Sequence, residues 1–393
     1  MISEAEALAT VLAKVEPLAF TRVPLFDSLG HFSVADVLAQ RALPPFDNSA
    51  MDGYAVQSAS CRAGARLRVV GEQPAGTDRG LTIRAGEAIR IFTGAPLPAG
   101  ADAVIMQEDV TREGEMILAQ CDTELGEFVR RQGADLTVGQ TILARGEPIA
   151  AQTLGLLASQ GLAMLEVGQA PRVAIVATGD ELARLGDTPQ PGQIFESNSI
   201  MLHALAVGTG AQVTWLEHAT DELARLTEIL RRSLKCDALL ISGGVSVGDR
   251  DLVKPALHSL GVEIDLWRVA IKPGKPFLFG QAAGCHVFGL PGNPVSAFVT
   301  FLKFVRPALR KMMGAGNAHL GLRELSARLA SDVSNDGDRP HYLRGELCGG
   351  LFRVVGRQES HALFGLSRSN ALLRLAPGEK LDADMIVTVE VWD

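Results

Sequence analysis

The sequence has few cysteines and no excess of basic residues, and each deficit excludes a class of protein. Its five cysteines are odd in number and form no C-x-x-C pair, so we expect neither a disulfide framework nor a zinc ribbon. The formal net charge is -8, whereas a nucleic-acid-binding protein presents a basic face to the phosphate backbone. We therefore expect a reducing, cytoplasmic environment and no nucleic-acid partner.

Long uninterrupted apolar runs are missing as well. The first residues, MISEAEALAT, lack the basic segment of an export signal, and the most apolar of the later helical stretches contains Lys303 and Arg306. The sequence thus predicts no export signal and no membrane-spanning segment.

The common nucleotide-binding motifs are absent too. No GxxxxGK[ST] occurs, and Gly208 and Gly210 begin a GxG in which Val213 takes the place of the third glycine. Neither a P-loop nor a dinucleotide fingerprint is therefore predicted, and any bound anion must be held in another way.

The pattern of apolar residues predicts several domains, because 393 residues are too many for one core. Apolar strands near residues 172, 213, 237, 263 and 286 alternate with helical patterns, which is typical of a doubly wound, mainly parallel sheet. We predict an α/β multidomain protein with this domain at its centre, an N-terminal helical and β region, and a small C-terminal β domain. The predicted boundaries are 1–45 with 142–170 for an elongated scaffold, 46–141 for a small β domain, 171–315 for the doubly wound domain and 316–393 for the last domain.

The most informative stretch is ALLISGGVSVGDRD at 238–251, in which a glycine-rich turn follows a buried strand. Gly243 and Gly244 have no Cβ, so successive N–H groups can form a nest for a phosphate, but Asp249 and Asp251 follow directly. Each carboxylate would repel a phosphate about 4 Å away by roughly 4 kcal/mol at an effective dielectric of about 20. A divalent cation between carboxylate and phosphate removes this conflict. The alternative is a simple turn whose aspartates cap the next helix.

Other polar turns follow or precede strands and helices of the same domain: TGDE at 178–181, ESNS at 196–199, Asp221, and PGNP at 291–294, where Asn293 can cap a helix that starts at Pro294. Since the carboxyl ends of parallel strands face one edge of a sheet, we expect these turns to meet in one crevice. Lys272 and Lys275 of the KPGK turn are candidate partners for an oxyanion, and a solvated turn is the alternative.

Two loops that precede this domain in the sequence also have compositions that favour a ligand-binding role. PPFDNSAMDGYAV at 44–56 combines stiffening prolines with hydrogen-bonding side chains such as Asp52, and TGAPLPAGAD at 93–102 is too rich in proline to pair as a strand. Arg130, Gly133 and Asp135 then follow at a turn, most simply as a surface ion pair.

Taken in order, several of these stretches resemble one family: NSAMDGYAV at 48–56, TGAPLPAGAD at 93–102, TGDEL at 178–182, SGGVSVGDRD at 242–251, KPGKPFLFG at 272–280 and GLPGNPVSAF at 289–298. They resemble the molybdopterin molybdotransferases, to which the E domain of gephyrin is related. The resemblance implies an elongated, four-domain, dimeric cytoplasmic enzyme. Its partners would be adenylylated molybdopterin, molybdate and possible further proteins of molybdenum cofactor biosynthesis, and its cofactor would be Mg²⁺ or Zn²⁺.

The resemblance also implies a set of site residues. The acidic residues of the active site would be Asp52, Asp135, Glu181, Asp221 and Asp251. A metal would be held by Glu181, Asp249 and Asp251. The substrates would contact Thr93, Ser242, Gly243, Gly244, Ser246, Asp249, Lys272, Lys275, Pro291, Asn293, Pro294 and Arg344. Near the C-terminus this chain has Ser369 and Asn370 where the family usually has Ala-Asn, so the part played by the segment 360–370 is left open.

Two other functions remain open at this point. A related chain can act as a dimeric scaffold, as the gephyrin E domain does, although all the expected acids are present here. The G-x-S-x-G pattern around Ser246 is that of a serine hydrolase, but two glycines and a valine separate Ser246 from its strand.

Overall fold

The computed structural model describes residues 1–245, 251–282 and 284–392, and within them the chain divides into two compact units. Unit 1 comprises Met1–Ala35, Ala144–Gly155 and the chain from Leu162 onward, whereas unit 2 comprises Asp36–Leu143 and Leu156–Gly161. In the described ranges no helix is long and apolar enough to cross a membrane. The predicted division into four domains stays a prediction.

The centre of unit 1 is a six-stranded sheet that confirms the doubly wound prediction. Its strands, in spatial order, are Gln212–Ala219, Arg172–Thr178, Ala238–Ser242, Cys285–Leu290, Leu278–Ala282 and Glu263–Trp267. The first four are parallel, and Leu278–Ala282 runs antiparallel to both of its neighbours. Leu278–Ala282 belongs to the KPGKPFLFG stretch, and the alternation of strands and helices did not predict it.

Alternate residues of the central strands enter two different cores, as expected for a sheet covered on both faces. Ile175 and Leu240 pack against the helices Glu4–Lys14, Asn198–Thr209 and Pro294–Thr300, while Val176 and Ile241 pack against Leu223–Ser233 and Val253–Ser259. The π-helix Phe301–Val305 connects Pro294–Thr300 to the helix Arg306–Met312 on the first face. The N-terminal helix begins at the capping box that Ser3 and Glu6 predict.

The rest of unit 1 is β structure and short helices. A closed barrel consists of Arg323–Leu329, Leu351–Val354, His341–Cys348, Ala371–Leu375 and Ile386–Val391. The helix Leu363–Ser367 lies between two of its strands in sequence, and the strands Phe20–Pro24 and Met164–Gly168 form an antiparallel pair. The predicted C-terminal β region is thus confirmed as a barrel.

Unit 2 contains a six-stranded mixed sheet of Ala103–Met106, Gly53–Val56, Glu87–Ile91, Arg66–Gln73, Met116–Ala119 and Val110–Glu113 in spatial order. Arg66–Gln73 and Glu87–Ile91 are parallel, and the other neighbours are antiparallel. The helix Ala151–Ser159 follows it in the chain. The stretch 93–102 forms no strand, as its prolines predict.

Candidate functional site

A cavity of about 850 Å³ lies in unit 1 where the strands Arg172–Thr178 and Ala238–Ser242 end. The next strand of this sheet along the chain, Gln212–Ala219, lies on one side of Arg172–Thr178 and Ala238–Ser242 lies on the other, so the direction of winding reverses here. This is the place where doubly wound sheets bind ligands. The lining includes residues 178–182, 194–198 and 242–245, Asp221, Asp251, Pro276, residues 291–294, His361 and Leu363. The polar turns predicted to converge therefore do meet in one crevice.

The glycine-rich turn requires glycine at both positions. Gly243 has a φ of 93° and Gly244 a φ of 63°, and a Cβ at Gly243 would lie 2.7 Å from the carbonyl oxygen of Thr178. The predicted phosphate nest, however, is incomplete, because the N–H of Gly243 donates to the carbonyl oxygen of Leu290 at 3.1 Å. The buried hydroxyl of Thr178 adjoins this turn and has no hydrogen-bond partner within the described chain. The hydroxyl of Thr178 is thus available to a ligand at this turn.

Asn198 connects the turns that surround the crevice. Its amide nitrogen donates to the Oγ of Ser242 at 2.9 Å and to the carbonyl oxygen of Gly292 at 2.7 Å, and the residue is only 9% exposed. Because a carbonyl oxygen can only accept, the bond to Gly292 fixes which amide atom is the nitrogen. The sequence motif ESNS pointed to this turn, but nothing in it singled out Asn198 as the connecting residue.

The crevice is acidic. Carboxylates of Asp180, Glu181, Glu196, Asp221 and Asp251 line it, and no lysine or arginine lies among its described lining residues. Asp180 accepts a hydrogen bond from the backbone N–H of Asp221 at 3.0 Å, and Glu196 accepts one from the N–H of Ser199 at 2.8 Å. Asp221 lies just before the helix Leu223–Ser233.

Two of the three predicted metal ligands, Glu181 and Asp251, lie in the part of the chain that the structure describes. Glu181 and Asp251 line the same crevice, but no group of three or more histidine, cysteine, aspartate or glutamate side chains able to hold a metal occurs in the ranges 1–245, 251–282 and 284–392. Asp249, the third predicted ligand, and Ser246 lie outside the described residues. The carboxylate donors suit Mg²⁺, which commonly takes one or two of them and completes its shell with water and substrate phosphate.

Lys272 and Lys275 are exposed, and they are not lining residues of the crevice, to which their turn contributes Pro276. The N–H of Lys272 donates to the carbonyl oxygen of Pro340, and its own carbonyl accepts from the N–H of Tyr342. Burial first, and then the positive charges of Lys272, Arg344 and Arg339, lower the pKa of His341 to about 4. Positive charge therefore gathers beside the KPGK turn, apart from the carboxylates.

Arg344, which the resemblance predicts as a substrate contact, is buried within unit 1. It is 1% exposed, and its guanidinium donates to the carbonyl oxygens of Arg357 and Glu359. Burial lowers its pKa, and a buried charge of this kind needs such partners. Its visible role is to hold the segment that leads to Ser360 and His361.

Asn293 occupies the N-cap position of the helix Pro294–Thr300, with Pro294 at the first turn as predicted, yet its side chain makes no capping bond. Its amide nitrogen donates instead to the Oγ of Ser360 at 2.8 Å, and the carbonyl of Ser360 accepts the N–H of Val295 at 3.1 Å. The segment after the barrel strand Leu351–Val354 thus performs the capping. Two residues of the segment 360–370, His361 and Leu363, line the crevice.

Asp52 and Asp135 lie in unit 2. The carboxylate of Asp52 accepts hydrogen bonds from the N–H of Thr93 at 2.7 Å and from its hydroxyl at 2.8 Å. These two bonds, with a smaller effect of the charge of Arg90, hold the pKa of Asp52 below its ordinary value. Asp135 is exposed, and its backbone N–H donates to the carbonyl of Leu43. The ion pair at this turn joins Arg131 to Asp47, at 2.6 Å.

The doubly wound core with an acidic crevice at its reversal point defines a ligand-binding α/β protein. Three regions of the chain match family descriptions: residues 2–161 the MoeA N-terminal region (domain I and II), residues 174–311 a probable molybdopterin binding domain, and residues 326–392 the MoeA C-terminal region (domain IV). The chain belongs to the MoeA family, as the motif resemblance predicted.

Relatives and solved structures agree with this assignment. The chain is 37% identical over 384 residues to molybdopterin molybdenumtransferase 2 of Mycobacterium tuberculosis, with 94% of each chain covered. It is 35% identical to molybdopterin molybdenumtransferase of a Nostoc species, over 92% of this chain and 88% of the relative. The crystal structure of a molybdopterin biosynthesis MoeA protein from Pyrococcus horikoshii aligns with this structure over 100% of both chains, with a TM-score of 0.86 and 29% sequence identity.

We expect Asn198→Ala to lower the free energy of unfolding of unit 1 by about 2 kcal/mol, because it removes both the buried hydrogen bond to the Oγ of Ser242 and the bond to the carbonyl oxygen of Gly292. The exposed Asn317, whose side chain has no such bond, provides the control Asn317→Ala. Denaturant titration of both variants measures the difference. Equal stability of the two would show that the amide of Asn198 does not hold the turns together.

We expect Thr93→Val to raise the pKa of Asp52 part of the way toward about 3.9, because the hydroxyl bond is lost while the stronger backbone bond remains. Since the folded pKa is depressed, the contribution of Asp52 to stability exists above its unfolded pKa and disappears as pH falls through the folded one. A ¹³C NMR titration of the carboxyl measures the shift, with Thr93→Ser as control. An unchanged pKa in the valine variant would contradict the assignment.

Proposed function

We propose that the chain is a molybdopterin molybdenumtransferase that inserts molybdenum from molybdate into adenylylated molybdopterin and releases AMP. The observation that carries the proposal is the crevice itself, in which a glycine turn, the buried hydroxyl of Thr178 and several carboxylates meet at the reversal point of the sheet. The names of the relatives support the same reaction. The homodimer and the cytoplasmic location stay predictions from the resemblance.

The division of charge supports separate places for the two substrates. The adenylyl phosphate would lie at the turn of Gly243 and Gly244, where the N–H of Gly244 and the hydroxyl of Thr178 can donate to it. Molybdate, a dianion, would lie near Lys272 and Lys275, because ammonium groups are strong partners for an oxyanion. The carboxylates of the crevice would repel molybdate and favour its position near the lysines.

Mg²⁺, or Zn²⁺ in its place, fits this arrangement as a partner of the phosphate. Asp251 and Glu181 would hold it from within the described chain, and phosphate oxygens would complete its coordination. When bound, the ion would neutralise phosphate charge and polarise the phosphoryl oxygens. The protein's own groups then orient the phosphate through the glycine turn, whose positive φ angles only glycine adopts without strain.

AMP release tests the function directly. Purified protein, adenylylated molybdopterin, molybdate and Mg²⁺ are incubated together, and AMP and molybdenum cofactor are quantified. Molybdate-dependent formation of both supports the proposal, and their absence from a folded, metal-supplied sample contradicts it. A parallel series with Mg²⁺, Zn²⁺ and chelator tests the metal.

We expect Asp251→Asn to reduce AMP release about 100-fold or more while the fold is kept, because the crevice loses a carboxylate that a cation needs. The variant Asp336→Asn, which changes an exposed acid outside the crevice, is the matched control. Circular dichroism and single-turnover AMP release are measured for both. Activity of Asp251→Asn equal to that of the control would remove Asp251 from the mechanism.

We expect Lys272→Ala and Lys275→Ala each to raise the molybdate concentration needed for half-maximal turnover about tenfold, with little change in the affinity for AMP. The reason is that these ammonium groups lie outside the acidic crevice but beside its turn at Pro276. Lys235→Ala, at another exposed lysine of unit 1, is the control. An unchanged molybdate requirement in both variants would place the oxyanion elsewhere.

A further inference from the structure

His361 is the one side chain among the described lining residues of the crevice that can carry a positive charge. Around it the charged groups of the lining are carboxylates. The hydrogen bonds that hold the chain around His361 at this place distinguish it from a histidine on an ordinary surface loop.

The residues next to His361 are attached on both sides. Ser360 accepts the side-chain N–H of Asn293 at 2.8 Å and, through its carbonyl, the backbone N–H of Val295 at 3.1 Å. On the other side the carbonyl of His361 accepts the N–H of Leu363 at 2.9 Å. The backbone at the exposed residue His361 is therefore tied to the PGNP turn, which is itself part of the crevice.

The buried side chain of Arg344 also forms hydrogen bonds with the segment that leads to His361. Arg344, 1% exposed, donates to the carbonyls of Arg357 and Glu359, and Gln358 accepts the N–H of Arg344 at 2.9 Å. Gln358 also donates to the carbonyl of Val355 at 2.9 Å. The two terminal guanidinium nitrogens of Arg344 thus hold the backbone just before Ser360, while its buried Nε has no hydrogen-bond partner within the described chain.

Few hydrogen-bond donors at the glycine turn are available to an anion. The N–H of Gly243 is taken by Leu290, and the amide N–H groups of Asn198 are taken by Ser242 and Gly292. An imidazole carries at least one N–H donor whether it is neutral or protonated. His361 can therefore supply a donor that the turn does not have, in a crevice without lysine or arginine among its described residues.

We propose that His361 binds a phosphate oxygen of the nucleotide in this crevice by donating a hydrogen bond from its imidazole. The inference rests on the proposed function for the identity of the ligand, an adenosine phosphate ester. It assigns to His361 the recognition of the phosphate and not of the nucleoside. Asn293, Arg344 and Gln358 are then positioning residues, because they act on the phosphate through His361.

Isothermal titration of AMP and of adenosine into the full-length protein with Mg²⁺ tests the proposal. We expect His361→Ala to weaken AMP binding about tenfold and to leave adenosine binding unchanged, since only AMP carries the phosphate. The control is His258→Ala, which changes an exposed histidine on the helix Val253–Ser259, outside the crevice. Added imidazole should restore part of the AMP affinity of His361→Ala.

The outcomes separate this inference from the function on which it rests. The phosphate contact is overturned if His361→Ala binds AMP as tightly as the wild type does, or if it loses AMP and adenosine binding equally. It is also overturned if the wild type binds no AMP. Phosphate-selective weakening together with a wild type that releases no AMP from adenylylated molybdopterin keeps the contact and overturns the transferase function. Melting temperatures of the variants check that His361→Ala remains folded.

Discussion

The crevice depends on one buried amide. Asn198, at the start of the helix Asn198–Thr209, donates to the end of one central strand at Ser242 and to the turn after its neighbour at Gly292. Parallel pairing aligns Ser242 with Leu290, and the N–H of Gly243 donates to the carbonyl oxygen of Leu290, so the glycine turn and the PGNP turn begin side by side. The two hydrogen bonds of Asn198 then connect the start of its helix to both of these chain segments.

A second network extends this arrangement into the barrel part of unit 1. Asn293 would ordinarily cap its own helix, but its side chain bonds to Ser360, and the carbonyl of Ser360 accepts the helix N–H in its place. Arg344, a residue of a barrel strand, holds the carbonyls just before Ser360. A segment more than sixty residues away in sequence thereby becomes part of the crevice wall.

The sequence predicted the fold because the fold follows from local patterns. Apolar strands alternating with amphipathic helices leave a doubly wound sheet as the simplest solution, and the glycines and prolines mark its turns. It could not predict that Gly243 uses its N–H for Leu290, that Arg344 is buried, or that Asn293 bonds to Ser360. Each of these depends on a partner distant in sequence, and the residue type alone is equally compatible with a ligand contact.

The acidic lining determines what the crevice can accept. A free phosphate dianion about 4 Å from a single carboxylate meets roughly 8 kcal/mol of repulsion at an effective dielectric of about 20, which is roughly 4 kcal/mol for each of its two charges, and several carboxylates line the crevice. Two donors and an imidazole cannot offset that repulsion, since a hydrogen bond to a charged group contributes only about 1.5–3 kcal/mol. Under the proposed function, a cation that enters with the phosphate would remove this repulsion. The carboxylates would then disfavour free anions by repulsion, before any specific contact is made.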